Sequence, residues 1–229
     1  MPAEDCRHLV PTRVWDLPTR LFHGLLAAAV IGLVITGVTG GNAIEWHMRL
    51  GVAVGALLVF RILWGLLGGR WSRFTSFVYA PAAVGRYLRG QPRPTDRFDV
   101  GHNPLGSLSV FGLLAVLALQ VATGLVADDE IATTGPLNRF VSGATASLAT
   151  GWHKGYGQWL IYALVGLHVA AIVFYVTRKK QDLLRPMWHG NKLLPPGTPA
   201  SADHLRSRLL ATVLLAACGA AGVWVYRLG

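Results

Sequence analysis

The sequence predicts an all-α integral membrane protein: a four-helix transmembrane bundle with a fifth, C-terminal transmembrane helix. Three observations predict it. The 229 residues are 52% hydrophobic and only 14% charged, with a mean hydropathy of +0.43, whereas an ordinary soluble domain is about 25% charged. Five apolar runs, roughly 20–39, 47–68, 105–127, 155–177 and 207–226, match the ~20 residues needed to span a bilayer. No run alternates with period two, which argues against a membrane β-barrel.

The net charge of +10 does not point to nucleic acid, because its distribution follows topology. With Met1 inside, 16 Lys and Arg fall on inner segments and 4 on outer ones (Arg49, Arg139, Lys154 and Arg227), leaving Arg61 embedded. That asymmetry is the positive-inside pattern, and anionic lipid headgroups are the expected counterpart. The N-terminus is therefore expected on the inner side of the membrane and the C-terminus on the outer side. Cys6 and Cys218 suggest no disulfide, and no C-x-x-C-H exists for covalent haem attachment. No signal-peptide layout precedes the first run, so that helix is expected to be retained.

The elements follow in order. Residues 1–16 read as a polar cytoplasmic tail, with Trp15 at headgroup depth. The first helix runs from about Leu17 to Gly37, and the short turn GGNAIEW returns the second beside it. Trp64 and Trp71 mark the inner end of the second helix, and RYLRGQPRPTDRFDVGHNPLG reads as a surface-lying inner loop. Asn103 and Pro104 suit the cap and first turn of the third helix. The outer connection DDEIATTGPLNRFVSGATASLATG has room for a short interfacial helix before the fourth span. These four helices make residues 17–180 one domain. Residues 181–206 then form a cytoplasmic linker, and 207–229 the fifth helix, whose Ala217, Gly219, Ala221 and Gly222 suit close packing. No internal repeat is evident.

Four histidines carry the functional reading. His8, His102, His189 and His204 lie on inner loops and tails and read as solvated or headgroup-facing. His23, His47, His153 and His168 lie on membrane helices, where ionisable groups are usually functional. Helices one and three run outward and two and four return, which pairs His47 with His153 in the outer leaflet and His23 with His168 in the inner one. His153 and His168 are about 22 Å apart along one helix and about 60° apart around it, so both can face one interior. Two stacked pairs on facing helices are what two bis-imidazole haems require; a zinc site would need three or four ligands at one depth. Counted from Arg20 and Arg178, equal depth for His23 and His168 requires tilted or projecting helices. Arg61, about 21 Å inward of His47, reads equally as a haem-propionate partner or as a snorkelling base. Gln120 reads as a hydrogen-bonding residue between helices or the lining of a quinone pocket.

VWDLPTRLFH at 14–23, RILWG at 61–65, GHNPLG at 101–106 and GLHV at 166–169 together resemble the bacterial cytochrome b561 family, whose superfamily includes the b-type cytochrome subunit of nickel–iron hydrogenases. The resemblance covers roughly residues 10–190. It implies a four-helix cytochrome with two haem b groups in the inner membrane, carrying electrons between a periplasmic donor and the quinone pool. His23, His47, His153 and His168 would then be the axial ligands. The donor would be a c-type cytochrome or another redox partner, and Asp128-Asp129-Glu130 would steer a basic carrier or form an ordinary solvated helix end. Competing readings are a superoxide-oxidising quinone reductase, with Lys154 and Arg49 drawing in the anion, and a transporter using the histidines as proton or metal sites. The transporter reading lacks broken-helix repeats. Nothing in the sequence specifies an oligomeric state.

Overall fold

A computed structural model describes residues 9–131 and 133–229; Cys6, Arg7 and His8 lie outside them. The order is β1 (Val10–Arg13), α1 (Leu17–Thr39), α2 (Ile44–Leu67), α3 (Pro81–Leu88) and α4 (Pro104–Val126). It continues with α5 (Gly143–Trp152), a π-turn (His153–Gly157), α6 (Gln158–Thr177), α7 (Leu184–His189), β2 (Asn191–Leu194) and α8 (Leu205–Tyr226). Among the described residues, five helical segments are long and apolar enough to cross a membrane: Leu17–Thr39, Gly41–Leu67, Pro104–Val126, Gly143–Thr177 and Leu205–Tyr226. The protein is an all-α, multi-pass membrane protein with one small sheet.

Side-chain caps set several helix starts. Asp16 Oδ1 accepts from Thr19 N–H at 2.8 Å, with Pro18 in the first turn of α1. Asn103 Oδ1 accepts from Gly106 N–H at 2.8 Å, as the Asn103-Pro104 pair predicts. His204, expected to be merely solvated, caps α8 by accepting from Ser207 N–H at 3.2 Å.

The chain divides into two compact units. The first gathers the residues up to Leu21 with Leu63–Val110 and Ala170–Ala211. Here the expected tail and linker behave differently from simple solvated segments: β1 and β2 pair antiparallel, from Val10 opposite Leu194 to Arg13 opposite Asn191. They close over an apolar cluster of Val14, Trp15, Trp71, Val100 and Leu194. Trp15 is thus a core residue rather than a headgroup anchor, and His102 lies between Trp15 and Phe77, with ring centroids 4.7 and 4.5 Å away. The physical reason is that Val14 and Trp15 hide from water against residues distant in sequence, Trp71, Val100 and Leu194. Asp16, fully buried, knots the unit together. It also accepts from Trp64 Nε1 (3.2 Å), Gly69 N–H (3.0 Å) and Ser72 Oγ (2.7 Å). A buried carboxylate survives only with such a set of donors.

The second unit comprises Phe22–Ile62, Phe111–Val169 and Thr212–Gly229. One apolar cluster joins Val54 and Leu58 of α2, Leu117 of α4 and Ile161 of α6, with Leu26, Ala29, Val30 and Leu33 of α1 packed on it. On α8, Gly222 lies against Val52 and Ala56 of α2, and the Cys218 thiol is buried and free.

Candidate functional site

All four membrane histidines fall in the second unit, and its helices bring them together in pairs. His47, near the start of α2, and His153, at the head of the π-turn, have ring centroids 6.1 Å apart at an interplanar angle of 87°. His23 of α1 and His168 of α6 have centroids 6.4 Å apart at 49°. α1 begins six residues before His23 and α6 runs nine residues past His168, which accounts for about 4.5 Å of the depth difference counted from Arg20 and Arg178. Among the described residues, no three His, Cys, Asp or Glu side chains gather as a metal cluster.

His47 and His153 are held by matching surroundings. The His47 Nδ1 lies 3.0 Å from the Leu33 carbonyl, and His153 Nδ1 lies 2.9 Å from the Gln120 carbonyl. A carbonyl can only accept, so each Nδ1 carries the proton and each Nε2 keeps its lone pair. Thr36 Oγ1 and Thr123 Oγ1 stand 3.3 and 3.4 Å from the same nitrogens. Both threonines donate back along their own helices, to Gly32 O at 2.7 Å and Leu119 O at 2.8 Å. Next to them Gly37 and Gly124 leave bare backbone where the rings lie: a Cβ would sit 3.1 Å from His47 Cε1 and 2.8 Å from His153 Cε1. The residues responsible are Leu33-Val34-Ile35-Thr36-Gly37 and Gln120-Val121-Ala122-Thr123-Gly124, a V-x-T-G repeat. It is present in the sequence but too short to stand out until the histidines give it meaning.

A cavity of about 260 Å³ opens beside this pair, lined by both histidines with Gly37, Gly51, Val54 and Leu117 among others. Lys154 and Gln158 add polar groups to its wall. Arg61 is 3% exposed on α2, so its guanidinium is enclosed by protein rather than extended toward headgroups. Of the other bases, Arg49 pairs with Glu45 and lies over Trp46 at 5.0 Å, and Arg139 lies over Phe140 at 4.9 Å. The acidic triplet folds back on itself: Asp128 Oδ1 accepts from Glu130 N–H, and Asp129 Oδ1 from Ile131 and Thr133 N–H, at 2.8–3.0 Å. Of the three, Glu130 is exposed and Asp128 and Asp129 are half-buried.

The donor set fits a haem iron. Two imidazoles on opposite faces of one metal, each bonded at about 2 Å, put their ring centroids about 6 Å apart. Both pairs meet that spacing, and in one pair each Nδ1–H is anchored to a carbonyl, the arrangement that orients an imidazole ligand and raises its basicity.

A multi-pass helical protein whose half-buried imidazoles meet in twos is of the class that holds haem between its helices. The comparisons with known proteins agree. The prokaryotic cytochrome b561 family matches residues 14–190. Similar proteins include the probable Ni/Fe-hydrogenase 1 B-type cytochrome subunit of Escherichia coli K12, 26% identical over 71% of this chain and 82% of that one. The probable Ni/Fe-hydrogenase B-type cytochrome subunit of Rhodobacter capsulatus is 25% identical over 82% and 84%, respectively. Its counterpart in Cupriavidus necator is 26% identical over 78% and 86%. No solved structure matches. The chain belongs to the prokaryotic cytochrome b561 family, and it is a membrane b-type cytochrome of electron transport.

Proposed function

We propose that the protein is a di-haem cytochrome carrying electrons across a bacterial inner membrane between a redox partner on the periplasmic side and the quinone pool. The observation that carries this reading is the pair of imidazole pairs, at 6.1 and 6.4 Å, inside one helical unit. His47 and His153 are the axial ligands of the outer haem, and His23 and His168 those of the inner one. Residues 17–180 form the four-helix domain, and 207–229 an added helix on α2. The sixteen inner bases against four outer ones support a cytoplasmic N-terminus and a periplasmic C-terminus.

Bound haem supplies the one-electron iron couple. The chain's own part is to hold the iron between neutral Nε2 atoms, bury it in apolar side chains and set nearby charge, which together tune its potential. Arg61, enclosed on α2, is the candidate partner of an inner propionate, and Lys154 the candidate outer one. The relatives' names bring forward a Ni/Fe-hydrogenase as the class of redox partner. A c-type cytochrome is the other candidate. The folded-back acidic turn lends it little support.

Pyridine haemochrome analysis of the detergent-purified protein tests the reading. The expected result is two b haems per chain, falling to one in His153→Ala and one in His168→Ala. Protein that folds without haem, or either variant retaining both haems, would overturn it.

A further inference from the structure

The two halves of the V-x-T-G cradle differ in their first residue, Leu33 on α1 and Gln120 on α4. Both contribute a backbone carbonyl to an imidazole Nδ1. Only Gln120 adds a side chain that hydrogen-bonds, and it turns to the same histidine: its Nε2 donates to the His153 carbonyl at 2.8 Å.

His153 opens the π-turn, within which Gly155 sits at φ −97° and ψ −106°, outside helical geometry. A π-turn interrupts the regular i→i−4 ladder and is favoured at functional positions. Gln120 reaches the His153 carbonyl of that turn from a neighbouring helix, α4. It thereby grips His153 twice, the ring through its main chain and the main chain through its amide. Gly157 closes the turn and leaves the room this needs, since a Cβ there would run into Gln120 Oε1 and stand 2.8 Å from Trp152 Nε1. The His47 side has no such device: α2 is unbroken around its histidine and Leu33 offers the ring contact alone.

We propose that Gln120 is a positioning residue for His153: together with Gly157 it sets the backbone of the π-turn and, through it, the plane in which the His153 imidazole is presented. The inference rests on the reading above that His153 is an axial ligand. It assigns the near-perpendicular 87° arrangement with His47 to a specific side chain rather than to general packing.

The test uses the full-length protein in detergent, comparing Gln120→Leu, which installs the residue of the α1 cradle, with Gly157→Ala, which displaces the amide without altering Gln120. Haem content is measured first, then low-temperature EPR and a redox titration of the oxidised protein. Both variants are expected to keep two haems and to shift the largest g value and midpoint potential of one haem while leaving the other unmoved. The double variant should shift no further than either single one, because both remove the same grip. A purely structural glutamine would lower thermal stability and leave g values and potentials in place. Wild-type EPR and potentials in both variants at full haem content would overturn the proposal. Should Gln120→Leu fail to assemble, Gly157→Ala decides alone. His153→Ala separates the two ideas: if it retains both haems, the ligand reading fails, whereas loss of one haem with unshifted Gln120→Leu spectra defeats only the role given to Gln120.

Discussion

Around His47 and His153 each imidazole has a backbone carbonyl, a threonine hydroxyl and a bare glycine surface arranged about it. Around His23 and His168 none of these recurs: among the described residues neither ring makes a hydrogen bond, and the two face each other at 49° rather than 87°. The first pair is oriented by directional contacts built into α1 and α4, the second by packing of the helices that carry it. Hydrogen bonds fix an angle, while apolar contacts fix a volume and leave rotation freer. Two imidazole pairs are thus held with two degrees of definition in one unit.

The largest effect that can break this comparison is spectroscopic. Axial imidazole planes that cross near a right angle leave the iron d orbitals nearly degenerate and push the largest g value up; planes closer to parallel bring it down. The oxidised protein should therefore show two low-spin EPR signals. The one with the higher g value should vanish in His153→Ala, and the lower and broader one in His168→Ala. The reverse assignment would show that the pairs do not keep these angles around iron.

The packing-held pair should also be the more sensitive to its helix ends. Asp16 caps α1 seven residues before His23 and receives donors from Thr19, Trp64, Gly69 and Ser72. Asp16→Ala orphans several buried donors at about 1 kcal/mol each, so a loss of about 3 kcal/mol is expected. Thermal unfolding followed by haem absorbance checks it. The His23/His168 signal should broaden or shift before the His47/His153 signal does, and equal response of both would remove the distinction.

Overpacking probes the other pair. Gly124→Ala places a methyl 2.8 Å from His153 Cε1 and Gly37→Ala one 3.1 Å from His47 Cε1. Crowding of this kind costs about 1–3 kcal/mol, with Gly124→Ala the worse because its gap is tighter. Haem retention during a melt ranks the two, and neither should move the His23/His168 signal.

Much of this is legible in the amino-acid sequence. Hydropathy is local, so α1, α2, α4 and α8 begin and end within about three residues of the apolar runs. Topology then predicts which histidines share a depth. What escapes is whatever depends on a distant partner. Val14 and Trp15 look like a solvated tail until Leu194 and Trp71 come to cover them. The fourth span reads as one run from residue 155, but the helix starts at Gly143 and kinks at Gly155 within the π-turn, because a π-turn has no hydropathy signature. Gln120 reads as a bond between helices, which it is; that the bond ends on the His153 carbonyl depends on the π-turn, which no residue pattern announces.

The smallest expected effect lies outside the spans and bounds the comparison. Arg86 and Asp96 pair at 2.9 Å between α3 and the loop before α4, and Arg93 N–H also donates to Asp96 at 2.9 Å. The Arg86 hydrogen bond, then that of Arg93, holds the Asp96 carboxyl below its usual range. A carboxyl depressed in this way contributes stability that is fully present above its ordinary pKa and is lost as pH falls through the lowered folded value. The loop at residues 89–96 should therefore stay closed at neutral pH and loosen only under distinctly acid conditions, whereas Asp96→Asn should loosen it at every pH. Limited proteolysis with an acid-tolerant protease across a pH series reads this directly. The pair is half-buried but lies outside the spans, so the change should stay local to the loop, with both EPR signals unmoved. If Asp96→Asn shifts the His23/His168 signal, then that pair is held by the loop as well as by its helices, and packing of α1 and α6 alone does not account for its geometry.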